Sequence, residues 1–442
     1  MRFVSVGDNS MVTQPTDGVR PKRQPKAHSL TGRITLPLLA SAFKAVKANR
    51  GAAGIDKVSI KMFEANLADN LQALLRDLKD GSFEPYPLRR FFIPKNETEF
   101  RPLGIPAVRD RVAQEVVRRL LQPIFEPLFH EASYGFRPGR NCHQALAAVL
   151  SLHDQGYEVV LDADIKGFFD NLPFHVIRQA VAAEVADGNI LRLVEKFLRS
   201  GVIENGVFKP TTIGTPQGGV ISPLLANIVL NHLDWQLHHA GFRFVRYADD
   251  FVVLCQSPTQ AQEALTKVQA VLADLGLALS PEKTRITTYR KGYSFLGFVL
   301  SRHSRRMRPK SVKKFKDKVR ELTRRKHNLD PSVIEKLNRV IRGTGQYFGT
   351  RWFTSRERFN QLDSWVRMRL RCMKYKRKSR HDNRRMRIKS FVRLGLLSLE
   401  GILLGQANAH DTDSSQGART VHRMVKHWLQ FDPAPVQGSP GA

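Results

Sequence analysis

The sequence predicts an α+β protein with a largely antiparallel sheet, followed by a separate basic and helical region. Three observations carry this prediction. Between residues 157 and 300, short apolar runs and helical periods follow the order β-αα-loop-α-ββ-α-β. From 302 to 393 the pattern turns helical, and 32 Lys/Arg stand against 7 Asp/Glu. The 442 residues, 42% of them hydrophobic, suffice for two or three domains with a proper core.

Each element follows from its local pattern. Residues 1–30 lack periodicity and read as a flexible lead. Residues 36–83 alternate helical patterns with the Gly-rich break "NRGAAG". "LRRFFIPKNETEFRPLGIP" reads as a hairpin around the polar turn Asn96–Glu97. "RDRVAQEVVRRLLQPIFEPLF" is a helix with a polar Arg/Gln/Glu face, and "EVVLDAD" is a strand ending in acids. Two helices broken near Gly188 come next, then the Gly-rich loop "GTPQGG" feeding a long amphipathic helix. "RFVRYADDFVVLC" is a hairpin of core strands with Asp249 and Asp250 at its crest. A helix stopped at Gly276 and a single strand "YSFLGFVL" complete this part, and the tail from about 405 is polar and weakly structured.

The net charge of +31 points to a polyanionic partner, nucleic acid first and an anionic membrane surface second. No run approaches the roughly 18 apolar residues of a transmembrane helix. The first residues hold no apolar core of secretory-signal length. Nucleic acid rather than a membrane is the expected partner. Cys142, Cys255 and Cys372 lie too far apart for a disulfide framework or a zinc spacing, which fits free thiols in a reducing cytosol.

The chemistry centres on acids. Burying Asp249 beside Asp250 without a counter-charge is expensive. Asp162 and Asp164 share one strand face, being two residues apart. If that strand pairs beside the hairpin, Asp164, Asp249 and Asp250 converge at one sheet end. The missing positive charge is then a divalent metal. Mg²⁺ suits carboxylates plus substrate phosphates, and two ions ~3.5–4 Å apart serve in-line phosphoryl transfer. The plain alternative is an acidic hairpin turn, Asp being a turn former.

These stretches resemble the palm motifs of reverse transcriptases, in order and at family spacing. "LDADIKGFFDNL", "GTPQGGVISPLLANIVL", "YADD", "GLALSPEKTRI" and "YSFLGFVL" carry the likeness. "NRGAAGIDKVSI", "FFIPKNETEFRPLGIPAVRDR" and "ASYGFRPGRNCHQAL" resemble the finger segments of group II intron-encoded reverse transcriptase/maturases. "LDSWVRMRLRCMKYKRK" resembles their basic thumb, and the likeness covers roughly residues 36 to 400.

The resemblance implies a right-hand polymerase: a lead (1–30), fingers (31–155), palm (156–301), a basic helical thumb/maturase region (302–393) and a tail (394–442). It implies a family member without an endonuclease module, whose reverse transcription needs a primer from elsewhere. Asp164, Asp249 and Asp250 become the ligands of two Mg²⁺ ions. Asp162 departs from the family ligand position and reads as a strand-end acid facing a basic neighbour. Lys95, Arg101, Ile165, Phe169 and Gln217 become nucleotide contacts, with Phe169 as the gate against a 2′-OH or else an ordinary core aromatic. Lys95 and Arg101 have solvated hairpin cations as their alternative. Tyr247, Gly218 and Gly219 lie near primer and template. Lys283 is either the general acid for the leaving pyrophosphate or a surface lysine. Tyr347, Phe348, Trp352, Phe353, Phe359 and Trp365 mostly read as helix core.

The implied partners are a group II intron RNA, an RNA template with DNA primer, dNTPs and target DNA, in a bacterial cytoplasm near the nucleoid. The implied activity is RNA-directed DNA synthesis with assistance to intron splicing. A domesticated relative in phage defence, repair or a CRISPR locus is the second reading. A non-catalytic splicing chaperone is the third.

Overall fold

The structure, a computed structural model, describes residues 25–94, 100–215 and 218–409. Three helices open the chain: α1 (Leu36–Ala48), α2 (Ile60–Ala65) and α3 (Leu67–Asp80). Thr35 and Ser59 cap the first two by accepting from backbone N–H groups three residues on. The lead is docked at its end. Ala27 bridges to Val185, and Leu30 is fully buried.

Strands β1 (Leu88–Pro94) and β2 (Phe100–Ile105) form the expected hairpin, and its turn lies outside the described residues. Helix α4 (Val108–Phe125) follows. Its polar face does not meet solvent as the periodicity suggests: Asp110, Arg111, Gln114 and Glu115 are buried. The helix is sandwiched, and those groups are satisfied internally, Arg111 by the Pro106 carbonyl and Glu115 by Arg118 and Arg119.

After α5 (Cys142–Asp154) comes β3 (Val159–Asp164), then α6 (Phe168–Asn171), α7 (Phe174–Ala182) and α8 (Gly188–Arg199). A hairpin of β4 (Val202–Glu204) and β5 (Val207–Lys209) was not expected. Its Asn205–Gly206 turn is the strongest short hairpin signal in the chain, and both residues take positive φ. This hairpin extends the first sheet, whose order is β2-β1-β4-β5, with β4 parallel to β1.

Helix α9 (Ser222–His239) is buried on nearly every side through Leu230 rather than amphipathic. It lies beneath the central sheet formed by β3, β6 (Arg243–Tyr247), β7 (Asp250–Cys255) and, after α10 (Pro258–Asp274), β8 (Arg285–Thr288). The order is β6-β7-β3-β8, antiparallel throughout. The expected single strand "YSFLGFVL" is a second correction. It folds as a hairpin, β9 (Tyr293–Phe295) and β10 (Phe298–Ser301), across a Leu296–Gly297 turn with both φ positive. With β11 (Ser304–Met307) it makes a third sheet of its own.

The basic region is helical: α11 (Pro309–Leu322), α12 (Pro331–Phe348), α13 (Arg356–Tyr375), α14 (Asp382–Arg385) and α15 (Ile388–Arg393). The tail begins with structure as well. Helix α16 (Leu399–Ala409) starts where Asp363 of α13 accepts from the Leu399 and Glu400 N–H groups. The expectation of weak structure from about 405 fails for residues 405–409, because a tertiary cap from another helix supports the segment. The remainder, 410–442, lies outside the described residues.

The central sheet separates two cores. Leu161, Ala163, Phe251 and Val253 face the core formed with α4, α7 and α9, whereas Val160, Val252 and Leu254 face the core shared with α5 and the basic helices. This alternation is the period of two that a sheet buried on both faces requires.

Candidate active site

The acids converge at one end of the central sheet. Strand β3 pairs with β7 in a register that sets Asp164 opposite Asp250 and Asp162 opposite Val252. Directly opposed residues share a face, as do residues two apart on one strand. Asp162, Asp164 and Asp250 therefore line one face. Tyr247 pairs with Asp250, so Ala248 and Asp249 form a two-residue hairpin loop. Ala248 takes φ +60°, a left-handed conformation that costs a non-glycine residue roughly 1–2 kcal/mol.

The charges are partly balanced. Lys283 Nζ donates to Asp164 Oδ2 at 2.9 Å. The turn carrying Lys283 is tied to the same strand, since Ser280 N–H donates to the Asp164 carbonyl at 2.7 Å. Arg285 on β8 donates from Nε and Nη2 to Asp162 Oδ2 at 3.1 and 3.0 Å. Asp162 is thus the strand-end acid with a basic neighbour that its position suggested. Asp250 is exposed to solvent, though crowded by the surrounding chain. Confinement, then the charges of Asp162, Asp249 and Asp164, push its carboxyl up to about 7, against the pull of Arg308. Burial also raises Asp249, which the Arg101 charge opposes.

The other expected residues are placed as follows. Burial raises the Asp170 carboxyl as it does Asp249, and the charge of Arg101, exposed on β2, opposes both rises. Phe169 is half-buried; its carbonyl accepts from Thr215 N–H at 2.7 Å, which lays the Gly-rich loop along it. Ile165 is buried in the main core and bridges to Leu279, which leaves its main chain as what it can offer a nucleotide. Gly218, at φ +113°, packs so closely on β2 that a Cβ would stand 2.3 Å from the Gly104 carbonyl oxygen. Its lack of a side chain thus serves the contact between loop and first sheet. Gly219 is buried beside it. Tyr247 shares the face of Asp250, half-buried, and its hydroxyl pairs with the Cys142 thiol. Lys95 and Gln217 lie outside the described residues. Among the basic-region aromatics, Phe348, Phe353 and Phe359 are buried and the other three half-buried.

Several residues of the site were missed in the sequence. Arg308, just before α11, sends its charge to Asp250 from the basic region. Nothing distinguishes it in sequence from its many basic neighbours. Arg246, Asp234 and Asn227 lie buried beneath the hairpin. Their signal was available: three polar residues sit inside apolar runs, with Asn227 and Asp234 two helical turns apart.

Among the described residues, no group of three His, Cys, Asp or Glu is drawn close enough to be a ready metal cage. The donor set nevertheless fits a hard divalent cation: three carboxylates at one sheet end, with excess negative charge at Asp250. Lys283 occupies Asp164 in the arrangement described here.

Acids on two adjacent strands and on the β6–β7 turn thus gather at one sheet end, where the charge of Arg101 on the neighbouring hairpin also acts. Residues 93–300 match the reverse transcriptase (RNA-dependent DNA polymerase) family, and 312–391 match the group II intron maturase-specific domain. Protein YkfC of Escherichia coli is 36% identical over 311 residues, covering 61% of this chain and 82% of YkfC. The group II intron-encoded protein LtrA of Lactococcus lactis is 42% identical over 167 residues, covering 38% of this chain but 28% of LtrA. A chain of a partial Cas6-RT-Cas1–Cas2 complex aligns with TM-score 0.37 at 25% identity, over 58% of this chain and 43% of that one. The chain belongs to the group II intron reverse transcriptase/maturase family, with a right-hand polymerase fold. Among the described residues, no helix is long and apolar enough to cross a membrane.

Proposed function

We propose that this protein copies a group II intron RNA into DNA and binds that RNA to assist splicing and mobility into target DNA. The observation that carries the reading is the register of Asp164 against Asp250 with Asp249 on the adjoining turn. Fingers would span 31–155 with β4 and β5 added, the palm 156–301, and the thumb/maturase region 302–393 extended by α16. Asp164, Asp249 and Asp250 would hold two Mg²⁺ ions, which supply charge stabilisation to the attacking and leaving oxygens.

The chain's own residues would do the rest. The primer 3′-oxygen forms a bond to the α-phosphorus of a dNTP as the bond to pyrophosphate breaks. Arg101, with Lys95, neutralises the triphosphate as the fingers approach the palm. Phe169 fills the space a 2′-OH would need, and Gln217 lines the nucleotide pocket. Gly218 and Gly219 hold the loop backbone close to primer and template, and Tyr247 packs by the primer end. Lys283 leaves Asp164 as the site loads and gives its proton to pyrophosphate. The basic helices bind intron phosphates in a salt-dependent way.

The test is extension of a DNA primer on an RNA template with dNTPs and Mg²⁺. Asp249→Ala is expected to abolish extension while splicing of the bound intron persists. An Asp249→Ala protein that extends at the wild-type rate would sink the polymerase reading.

A further inference from the structure

We infer that Arg246, Asp234 and Asn227 form a positioning device for the acidic hairpin, a role that rests on the polymerase reading. Arg246 is fully buried on β6, on the sheet face opposite Asp164 and Asp250. Its Nε donates to Asp234 Oδ1 at 2.7 Å, and its Nη2 donates to Oδ2. Nη1 donates twice at 2.9 Å, to Asn227 Oδ1 and to the carbonyl of Ala248. That carbonyl belongs to the residue forced into the left-handed region immediately before Asp249.

The other side of the turn is clamped by the same network. Asn227 Nδ2 donates to the Gly135 carbonyl at 2.7 Å. Gly135 lies so close that a Cβ on it would stand 2.3 Å from the Ala248 nitrogen. The backbone of Arg246 is itself held, its N–H donating to Ala132 and its carbonyl accepting from Tyr134, at 2.9 and 2.8 Å. The strained Ala248 is thus gripped by a guanidinium on one side and by a glycine backbone on the other.

The placement argues for function over simple stability. A hydrophobic set of equal volume stabilises a core as well as a buried ion pair does. Here the ion pair ends on the one carbonyl whose orientation sets the direction of Asp249 and Asp250. Asn227 and Asp234 come from α9, the helix that the Gly-rich loop feeds. The device therefore links the loop beside Phe169 to the acidic turn through one rigid element. A misplacement of about 1 Å at such a turn costs on the order of 10²-fold in rate.

The test uses the full chain with an RNA template, DNA primer and dNTPs, varying Mg²⁺. Asn227→Ala removes one acceptor and one donor but keeps the Arg246–Asp234 pair, so the fold survives. Its kcat is expected to fall roughly 10- to 100-fold, with a higher Mg²⁺ requirement and an unchanged KM for dNTP. Ala248→Gly, which removes the strain, is expected to restore part of the kcat when added to Asn227→Ala. A lower melting temperature with wild-type kcat and Mg²⁺ dependence would overturn the inference and leave the network purely structural. Absence of extension by the wild-type chain would instead overturn the polymerase reading. An Asn227→Ala defect that Ala248→Gly leaves untouched would also count against positioning through the turn.

Discussion

The two faces of the central sheet carry opposite kinds of ion pair at the same end. On one face Arg246 and Asp234 are wholly buried, and each guanidinium nitrogen donates to a partner. On the other face Lys283 with Asp164 and Arg285 with Asp162 are open to solvent, and Asp250 keeps a surplus of negative charge around it. A saturated buried network has nothing left to offer a ligand and acts by fixing geometry. An exposed and under-neutralised one can exchange partners. The contrast separates residues that shape the site from residues that react in it, although all of them are charged.

Substitutions on the two faces should break the molecule in different ways. The largest effect on activity is expected from Asp250→Asn, which should slow primer extension by roughly 10³-fold or more. Its stability should move the other way. The Asp250 carboxyl is pushed up to about 7, above its unfolded value of about 3.9, so folding opposes its ionisation throughout the range above that value. Asn removes this cost, and the variant should melt no lower than wild type at pH 8 in the absence of Mg²⁺.

On the buried face the order reverses. Asp234→Ala strands a buried guanidinium, and denaturant unfolding should register a loss of about 3–5 kcal/mol. If the protein tolerated this change as easily as Asp250→Asn, the proposed contrast between the faces would fail.

Lys283→Ala sharpens the comparison from the exposed side. Its pair with Asp164 is solvated, so stability should change by less than about 1 kcal/mol. Single-turnover nucleotide addition should slow roughly 10²-fold as the general acid is lost. A normal single-turnover rate would reduce Lys283 to a surface counter-ion.

The smallest expected effect concerns His130, buried against Trp235, His238 and Phe244. Burial, then the positive charges around it, push it down to about 3. Its Nδ1 accepts from Ala132 N–H, which suits the neutral ring. The unfolded chain takes up this proton near pH 6.5 and the folded one does not, so stability falls as pH drops from about 6.5 toward 3. The slope reaches at most about 1.4 kcal/mol per pH unit. Thermal melts of His130→Gln between pH 7 and 5 should show a shallower decline than wild type, whatever its absolute stability.

Much of this site was legible in the sequence because its signals are local. Two adjacent acids between apolar runs mark a hairpin crest, and acids two apart on a strand share a face. The signal of the Asn205–Gly206 hairpin is equally local but limited to its turn. Its strands are only three residues long, too short for the alternation that marks the other strands. The "YSFLGFVL" stretch hides its turn for a related reason: an apolar run gives no sign of a turn when both of its halves are buried.

The sequence by itself determined the order of the elements, the basic character of the last third, and the acidic side chains at strand ends and turn. Those depend on residue type and spacing within a few positions. Only the tertiary structure decided that β3 pairs with β7 so that Asp164 meets Asp250, that Lys283 answers Asp164, and that Arg246 reaches Ala248 through partners on α9. Register and partner choice are settled by which faces the two cores bury, and that is a property of the whole packed chain rather than of any segment.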